Sequence, residues 1–349
     1  MYSLIRPLLF RLDAERAHHL TLDALRLASR VPFGKQLLRT VFEANDPKLE
    51  IEAFGLKFKN RVGLAAGYDK NGVGIAGLNA LGFGHLEIGT VTRLPQAGNP
   101  KPRVHRVPEA HGVINSMGFP NEGVEALGRR RDIRPQMSDN PSTAVSALLG
   151  INIGKGRDTP IERAAEDYCA LLQQVSAQAD YIALNISSPN TMNLRQLQAR
   201  AAIENLLREV AAVRDGLPVR KPLLVKIAPD LSEDEIVDVL GAITATGIDG
   251  VIATNTTLGR EGLPAYAQPL KGGLSGAPLT AKSTQVIRTI SKHTHGKLPI
   301  IGVGGIMSPA DALAKLDAGA TLVQIYTGMI YYGPALVRDI NRAMVGSAL

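Results

Sequence analysis

A single cysteine, Cys169, stands in the 349-residue chain, so neither an internal disulfide nor a cysteine-rich metal site can form. It sits in a helical pattern, Ala165 to Leu172, where it serves as a small core residue. Tryptophan is absent and aromatic residues make up only 4%. No segment interleaves lysine and arginine with aromatics, so the formal charge of +7 does not signal a nucleic-acid surface. None of the seven histidines has His-x-x-x-His spacing, and no metal is assigned. Long apolar runs are missing too. Nothing reaches the roughly 18 consecutive apolar residues of a spanning helix, and the N-terminus has neither an unbroken signal-peptide core nor a cleavage site. The chain is therefore expected neither to span a membrane nor to be exported.

What remains is 45% apolar and 20% charged, enough for one large α/β domain or two ordinary ones. Residues 1–45 read as short amphipathic helices with apolar stripes: Leu4, Ile5, Leu8 and Leu9, then Ala17, Leu20, Ala24, Leu27 and Ala28, then Leu37, Leu38, Val41 and Phe42. Pro32-Phe33-Gly34 separates the second from the third, and Asn45-Asp46-Pro47 closes the region. Residues 1–40 carry seven basic side chains against three acidic ones, which makes an anionic membrane surface a candidate partner. Leu49 to Lys59 alternates around Phe54-Gly55 as a hairpin would.

From Val62 onward eight β-rich apolar runs appear, at 62–66, 84–89, 145–151, 180–184, 222–227, 249–253, 298–303 and 321–326. Each is followed by a helical pattern or by a polar loop leading to one, which predicts a (β/α)8 TIM barrel over residues 46–349. Thr159-Pro160, the capping-box sequence Ser232-Glu233-Asp234-Glu235 and Ser308-Pro309-Ala310-Asp311 mark helix starts. The competing fold is a doubly wound sheet, prompted by Gly72-Val73-Gly74-Ile75-Ala76-Gly77. That glycine pattern lies five residues beyond its strand, whereas a dinucleotide fingerprint needs its first glycine in the turn directly after it. The connections 90–144 and 255–297 are long and rich in Gly, Pro and Asn, which marks them as functional loops.

In such a barrel the active site lies at the C-terminal ends of the strands. The richest end is Asn185-Ile186-Ser187-Ser188-Pro189-Asn190-Thr191, a set of neutral amides and hydroxyls suited to an uncharged polar ring rather than a metal ion. Alone it could equally be an Asx or Ser/Thr turn. Other strand ends repeat the chemistry with Ala66-Gly67, Asp69-Lys70, Gly89-Thr90, Asn152, Thr254-Asn255-Thr256 and Tyr326-Thr327. Gly302-Val303-Gly304-Gly305 after the seventh run sits where this fold commonly binds phosphate, implying a phosphate-bearing cofactor. Gly272 to Gly276 is either a close-approach loop or a flexible crossover. Lys226 ends a strand, and a buried ammonium there needs an anion; a flavin gaining negative charge on reduction would supply one.

Taken in order, Ala65 to Lys70, Ile88 to Thr92, Lys101-Pro102-Arg103, Asn115 to Phe119, Gly150 to Lys155, Asn185 to Thr191, Ala253 to Thr257, Gly272 to Gly276 and Ile301 to Ile306 closely resemble the quinone-dependent, class 2 dihydroorotate dehydrogenases, over nearly the whole chain. The resemblance implies oxidation of dihydroorotate to orotate in de novo pyrimidine (UMP) biosynthesis, with FMN as bound cofactor and a membrane quinone as acceptor. FMN would meet Ala66, Gly67, Tyr68, Asp69, Lys70, Thr90, Asn152, Asn185, Lys226, Thr254, Gly276, Gly305, Tyr326 and Thr327. Dihydroorotate would be held by Lys70, Asn115, Ser116, Met117, Gly118, Phe119, Asn185, Asn190, Asn255 and Thr256. Ser188 matches the catalytic base, flanked by a proton relay at Thr191 and Phe119. Class 1 enzymes carry cysteine at that position, and Cys169 is far from the motif.

The N-terminal helices would rest on the membrane and open a quinone tunnel lined by His18, Arg106 and Tyr326. A monomer is expected, and the absence of a transit peptide or spanning anchor favours peripheral association with the cytoplasmic face of a bacterial inner membrane. Four places depart from the usual pattern: Ser116 replaces an arginine, Pro120 an asparagine, His105 an aromatic, and Met192-Asn193 a Pro-Gly pair. They bear on loop motion and quinone affinity more than on the reaction. Two rivals stand beside this one: a class 1 type enzyme using fumarate or NAD, and a noncatalytic flavin- or nucleotide-binding barrel.

Overall fold

The computed structural model describes residues 2–130 and 146–347. In chain order its strands are β1 (Ile51–Ala53), β2 (Leu56–Phe58), β3 (Val62–Leu64), β4 (His85–Val91), β5 (Val104–Val107), β6 (Gly112–Asn115) and β7 (Leu148–Ile153). They continue with β8 (Tyr181–Asn185), β9 (Leu223–Ile227), β10 (Gly250–Ala253), β11 (Gly273–Gly276), β12 (Ile300–Val303) and β13 (Leu322–Ile325). The helices are α1 (Tyr2–Arg11), α2 (Ala14–Ala28), α3 (Gly34–Phe42), α4 (Ile75–Asn79), α5 (Val124–Gly128) and α6 (Ala164–Val175). After them come α7 (Arg200–Asp215), α8 (Glu233–Ala245), α9 (Thr280–Thr294), α10 (Pro309–Asp317), α11 (Thr327–Tyr332) and α12 (Ala335–Gly346).

Strands β3, β4, β7, β8, β9, β10, β12 and β13 pair in parallel, and β13 returns to β3 to close a barrel. The eight strands correspond to the eight apolar runs; Val145, in the third run, lies outside the described residues. Closure excludes the doubly wound sheet. The glycine pattern at 72–77 instead opens the short α4, where the Asp69 carboxylate accepts from the Val73 and Gly74 amides at 2.9 and 2.7 Å.

The strands are apolar on both faces because both faces are covered. Outward residues such as Ile88, Ile151 and Leu184 pack beneath the helices, while Tyr181, Ala183, Leu224, Ile252 and Ile301 fill the inside. The β1–β2 hairpin seals the N-terminal end with Phe54 and Phe58, and Phe58 is fully buried, which is worth about 1.5–3 kcal/mol. Large rings fit this narrow interior only beside glycine. A Cβ on Gly63 would lie 2.0 Å from the His85 ring, and one on Gly150 would lie 2.1 Å from the Tyr181 ring.

The long connections hold a structure that the sequence does not announce. Strands β5, β6 and β11 form an antiparallel sheet over the C-terminal end of the barrel, so Gly272 to Gly276 is no flexible crossover; it contains an edge strand whose glycines allow the close approach, a Cβ on Gly276 lying 2.2 Å from the His111 carbonyl. Against this sheet lie α1 and α2. Asp13 caps α2 by accepting from the Glu15 and Arg16 amides, and Leu22 docks where Gly74 leaves room. Arg106 on β5 donates to the carbonyls of Phe10 and Leu12, at 3.2 and 2.9 Å, and tethers the α1–α2 junction.

Candidate active site

At the C-terminal end of the barrel a cleft of about 980 Å³ opens between the strand ends and the β5–β6–β11 sheet. Its polar side is an array of amides. Glu87 on β4 accepts from Asn152 Nδ2 at 2.9 Å, and Asn152 Oδ1 accepts from Thr90 Oγ1 at 2.6 Å and Asn185 Nδ2 at 3.2 Å. Asn185 Oδ1 in turn accepts from Asn255 Nδ2 at 3.2 Å, and Asn255 Oδ1 from the Thr256 amide at 2.8 Å. Asn152 is fully buried, Asn185 nearly so, and each is hydrogen-bonded, as buried amides must be.

Lys226, 5% exposed, turns inward and lines the cleft, with its Nζ 3.6 Å from Glu87 Oε1. The anion that a buried ammonium demands is thus already present in the protein, in the fully buried Glu87. Glu87 Oε2 accepts from Gln324 Nε2 at 2.8 Å, and the Gln324 Oε1, on a residue lining the cleft, has no partner among the described residues.

In the loop after β8 Ser188 is 5% exposed, and its Oγ accepts from the Asn190 amide at 3.2 Å. Asn190 Nδ2 donates to the Asn115 carbonyl at 3.0 Å, clamping the Ser188 loop to β6. Lys70 Nζ donates to the Gly67 carbonyl at 2.6 Å, and burial pulls its ammonium down to about 8.

A second cavity of about 1570 Å³, mostly apolar, lies between α1, α2 and the outer sheet. His18, Tyr68, Arg106 and Tyr326 line it together with Leu9, Phe10, Leu25 and Phe42. His18 meets Tyr68 edge to face at 4.9 Å, and burial lowers its imidazole to about 3, so it is neutral at physiological pH. Tyr326, Asn115, Met117 and Ser275 line both spaces.

The cleft gathers Ala66, Gly67, Lys70, Thr90, Asn115, Met117, Gly118, Phe119, Asn185, Ser188, Asn190, Lys226, Thr254, Asn255, Thr256, Gly276, Gly305, Tyr326 and Thr327. It does not include Tyr68, which faces the apolar cavity, or Asp69, whose carboxylate caps α4. Asn152 stands behind Thr90 and Asn185, while Ser116 and Thr191 are half-buried outside the lining.

Glu87, Gln324 and Glu15 carry no role in the sequence, and Arg103 appears there only within the Lys101-Pro102-Arg103 motif. The Arg103 guanidinium pairs with Glu15 of α2 at 2.7 Å and donates to the Ala97 and Asn99 carbonyls, joining the helical region to the loop over the cleft. The one available signal was a charged or amide residue inside an apolar run, as in His85-Leu86-Glu87-Ile88 and Leu322-Val323-Gln324-Ile325.

The profile of the dihydroorotate dehydrogenase family matches residues 48–346. The chain belongs to that family. Its relatives include the dihydroorotate dehydrogenase (quinone) of Roseiflexus sp. (strain RS-1), 49% identical over 99% of this chain and 93% of that one. That of Thiobacillus denitrificans is 51% identical over 97% and 98% of the two chains. The Eimeria tenella enzyme crystallised with ferulenol superposes with a TM-score of 0.86 at 33% identity, covering 97% of this chain and 94% of that one. Full-length kinship of this kind puts the dehydrogenase in the quinone-dependent class.

FMN fits the residues present. Gly67, Gly276, Gly304 and Gly305 put bare backbone along the cleft, Lys226 offers a fixed cation, and the partnerless Gln324 Oε1 offers an acceptor for a ring N–H. Among the described residues no group of three or more His, Cys, Asp or Glu is placed to hold a metal ion.

Proposed function

We propose that this protein oxidises dihydroorotate to orotate in de novo pyrimidine biosynthesis, with noncovalently bound FMN, and passes the electrons to a membrane quinone. The observation that carries this reading is the common wall: Tyr326, Asn115, Met117 and Ser275 belong to the polar cleft and to the apolar cavity alike. A donor in one space and an acceptor in the other are then separated by single side chains.

Ala66, Gly67, Thr90, Asn185, Lys226, Thr254, Gly276, Gly305, Tyr326 and Thr327 would hold FMN, with Asn152 behind them. When bound, FMN supplies the two-electron acceptor that substrate oxidation requires. Asn115, Asn190 and Asn255 offer amides to the urea-like edge of dihydroorotate, and the Lys70 ammonium attracts its carboxylate. Ser188 Oγ takes the C5 proton as its own hydroxyl proton passes on towards Thr191. Serine is a poor base in water, and the enclosure of Ser188 under Phe119 and the sheet is what suits it to the task.

Residues 1–45 form the acceptor region, with His18, Arg106 and Tyr326 around the quinone. Leu4, Leu8, Leu27, Phe33 and Leu37 are all more than half exposed on α1 to α3 or the turn between them, beside the basic excess of this region. No described helix is long and apolar enough to cross a membrane. We therefore infer a peripheral monomer on an anionic bilayer, at the cytoplasmic face of a bacterial inner membrane. Anaerobic titration tests the reading. The purified protein should be yellow, lose its colour with dihydroorotate and regain it with quinone in anionic vesicles; colour that dihydroorotate leaves unchanged refutes it.

A further inference from the structure

We infer that Glu87 is a positioning residue for the cofactor site: it dictates which atom of two neighbouring amides faces the ligand, and it is the counter-ion of Lys226. The inference rests on the FMN reading above.

An amide side chain can present either its oxygen or its nitrogen to a given direction, whereas a carboxylate only accepts. Glu87 uses its two oxygens separately, Oε1 for Asn152 Nδ2 and Oε2 for Gln324 Nε2 and, at 3.4 Å, the Tyr181 hydroxyl. Both amides are therefore obliged to turn their nitrogens towards it. Asn152 Oδ1 is left for Thr90 and Asn185, and Gln324 Oε1 is left free on a residue that lines the cleft. A glutamine at position 87 cannot serve both neighbours. Its own NH2 would face one donor, so either Asn152 or Gln324 must turn over, and the polar pattern offered to the ligand inverts at that point. Lys226 would lose its anion as well. Glu87 is fully buried and does not line the cleft, so it acts only through these partners.

Glu87→Gln preserves volume while removing the second acceptor and the negative charge. Titrating FMN into apoprotein while following flavin fluorescence, we expect its dissociation constant to rise about tenfold, the scale of one misdirected charge-assisted hydrogen bond. Moving the carboxylate across the pair, with Glu87→Gln and Gln324→Glu together, restores an acceptor at each required place. FMN affinity should return to within about threefold of the original. A single variant that binds FMN as the unaltered protein does overturns the inference, and so does a double variant that binds no better than the single. Should the single variant fail to fold, the double must fold and bind, and its failure is equally decisive. Unaltered apoprotein that takes up no FMN would instead bring down the underlying reading.

Discussion

The polar cleft and the apolar cavity share a wall but are made differently. Cleft side chains stand on barrel strands or the loops directly after them, and a continuous chain of hydrogen bonds runs from Glu87 to Thr256. The cavity is framed by helices that pack on the rest of the protein through apolar side chains such as Leu22, Leu25 and Phe42 and are tied down by polar anchors such as Arg106 to the α1–α2 junction, Tyr2 to the Ile330 carbonyl and the Glu15–Arg103 pair. A reaction that must place a proton acceptor and a ring in fixed register needs the first construction. A greasy acceptor arriving from a bilayer needs only an apolar space that can yield, and the second provides it.

The contrast can be broken most severely at Ser188. Ser188→Ala should cut dihydroorotate turnover about a thousandfold, the scale of a lost general base, while FMN stays bound and the quinone side is untouched. Rapid-mixing measurement of colour loss checks it, and unchanged bleaching removes Ser188 from its role. Next is pH. Because burial sets the Lys70 ammonium near 8, its charge is present below that pH and lost above it, so the dihydroorotate KM should climb about tenfold by about pH 9. Lys70→Arg should flatten that climb.

Smaller effects belong to the cavity. Arg106→Ala releases the α1–α2 junction and should raise the quinone KM about fivefold, leaving anaerobic bleaching by dihydroorotate as it was. Phe33→Ser removes an exposed apolar side chain, 79% exposed, and should weaken binding to anionic vesicles about threefold, measured by sedimentation. The smallest expectation is none at all: with His18 held near 3, the quinone KM should show no break around pH 6.5 attributable to that residue.

The barrel was legible because its strands are buried on both faces and therefore appear as predominantly apolar runs, as in Leu223-Leu224-Val225. The outer sheet was not. Gly112–Asn115 pairs with Val104–Val107 on one side and, across nearly half the chain, with Gly273–Gly276 on the other, and a glycine-bounded strand has too little apolar content to stand out. The cleft was legible wherever a polar residue ends a strand. Glu87 was hidden because its partners Asn152, Tyr181, Lys226 and Gln324 come from four other strands, and only barrel closure brings them together. Tyr68 looked like a cleft residue from its place beside Gly67, yet it faces the other chamber, because consecutive residues of the turn face opposite ways.

The ring of Tyr326, bordering two chambers, has a kinetic corollary. Orotate lingering on one side does not obstruct arrival on the other, so double-reciprocal plots against the two substrates should run parallel. A compound lodged among α1 and α2 then starves the enzyme of an outlet for electrons without displacing dihydroorotate from its seat.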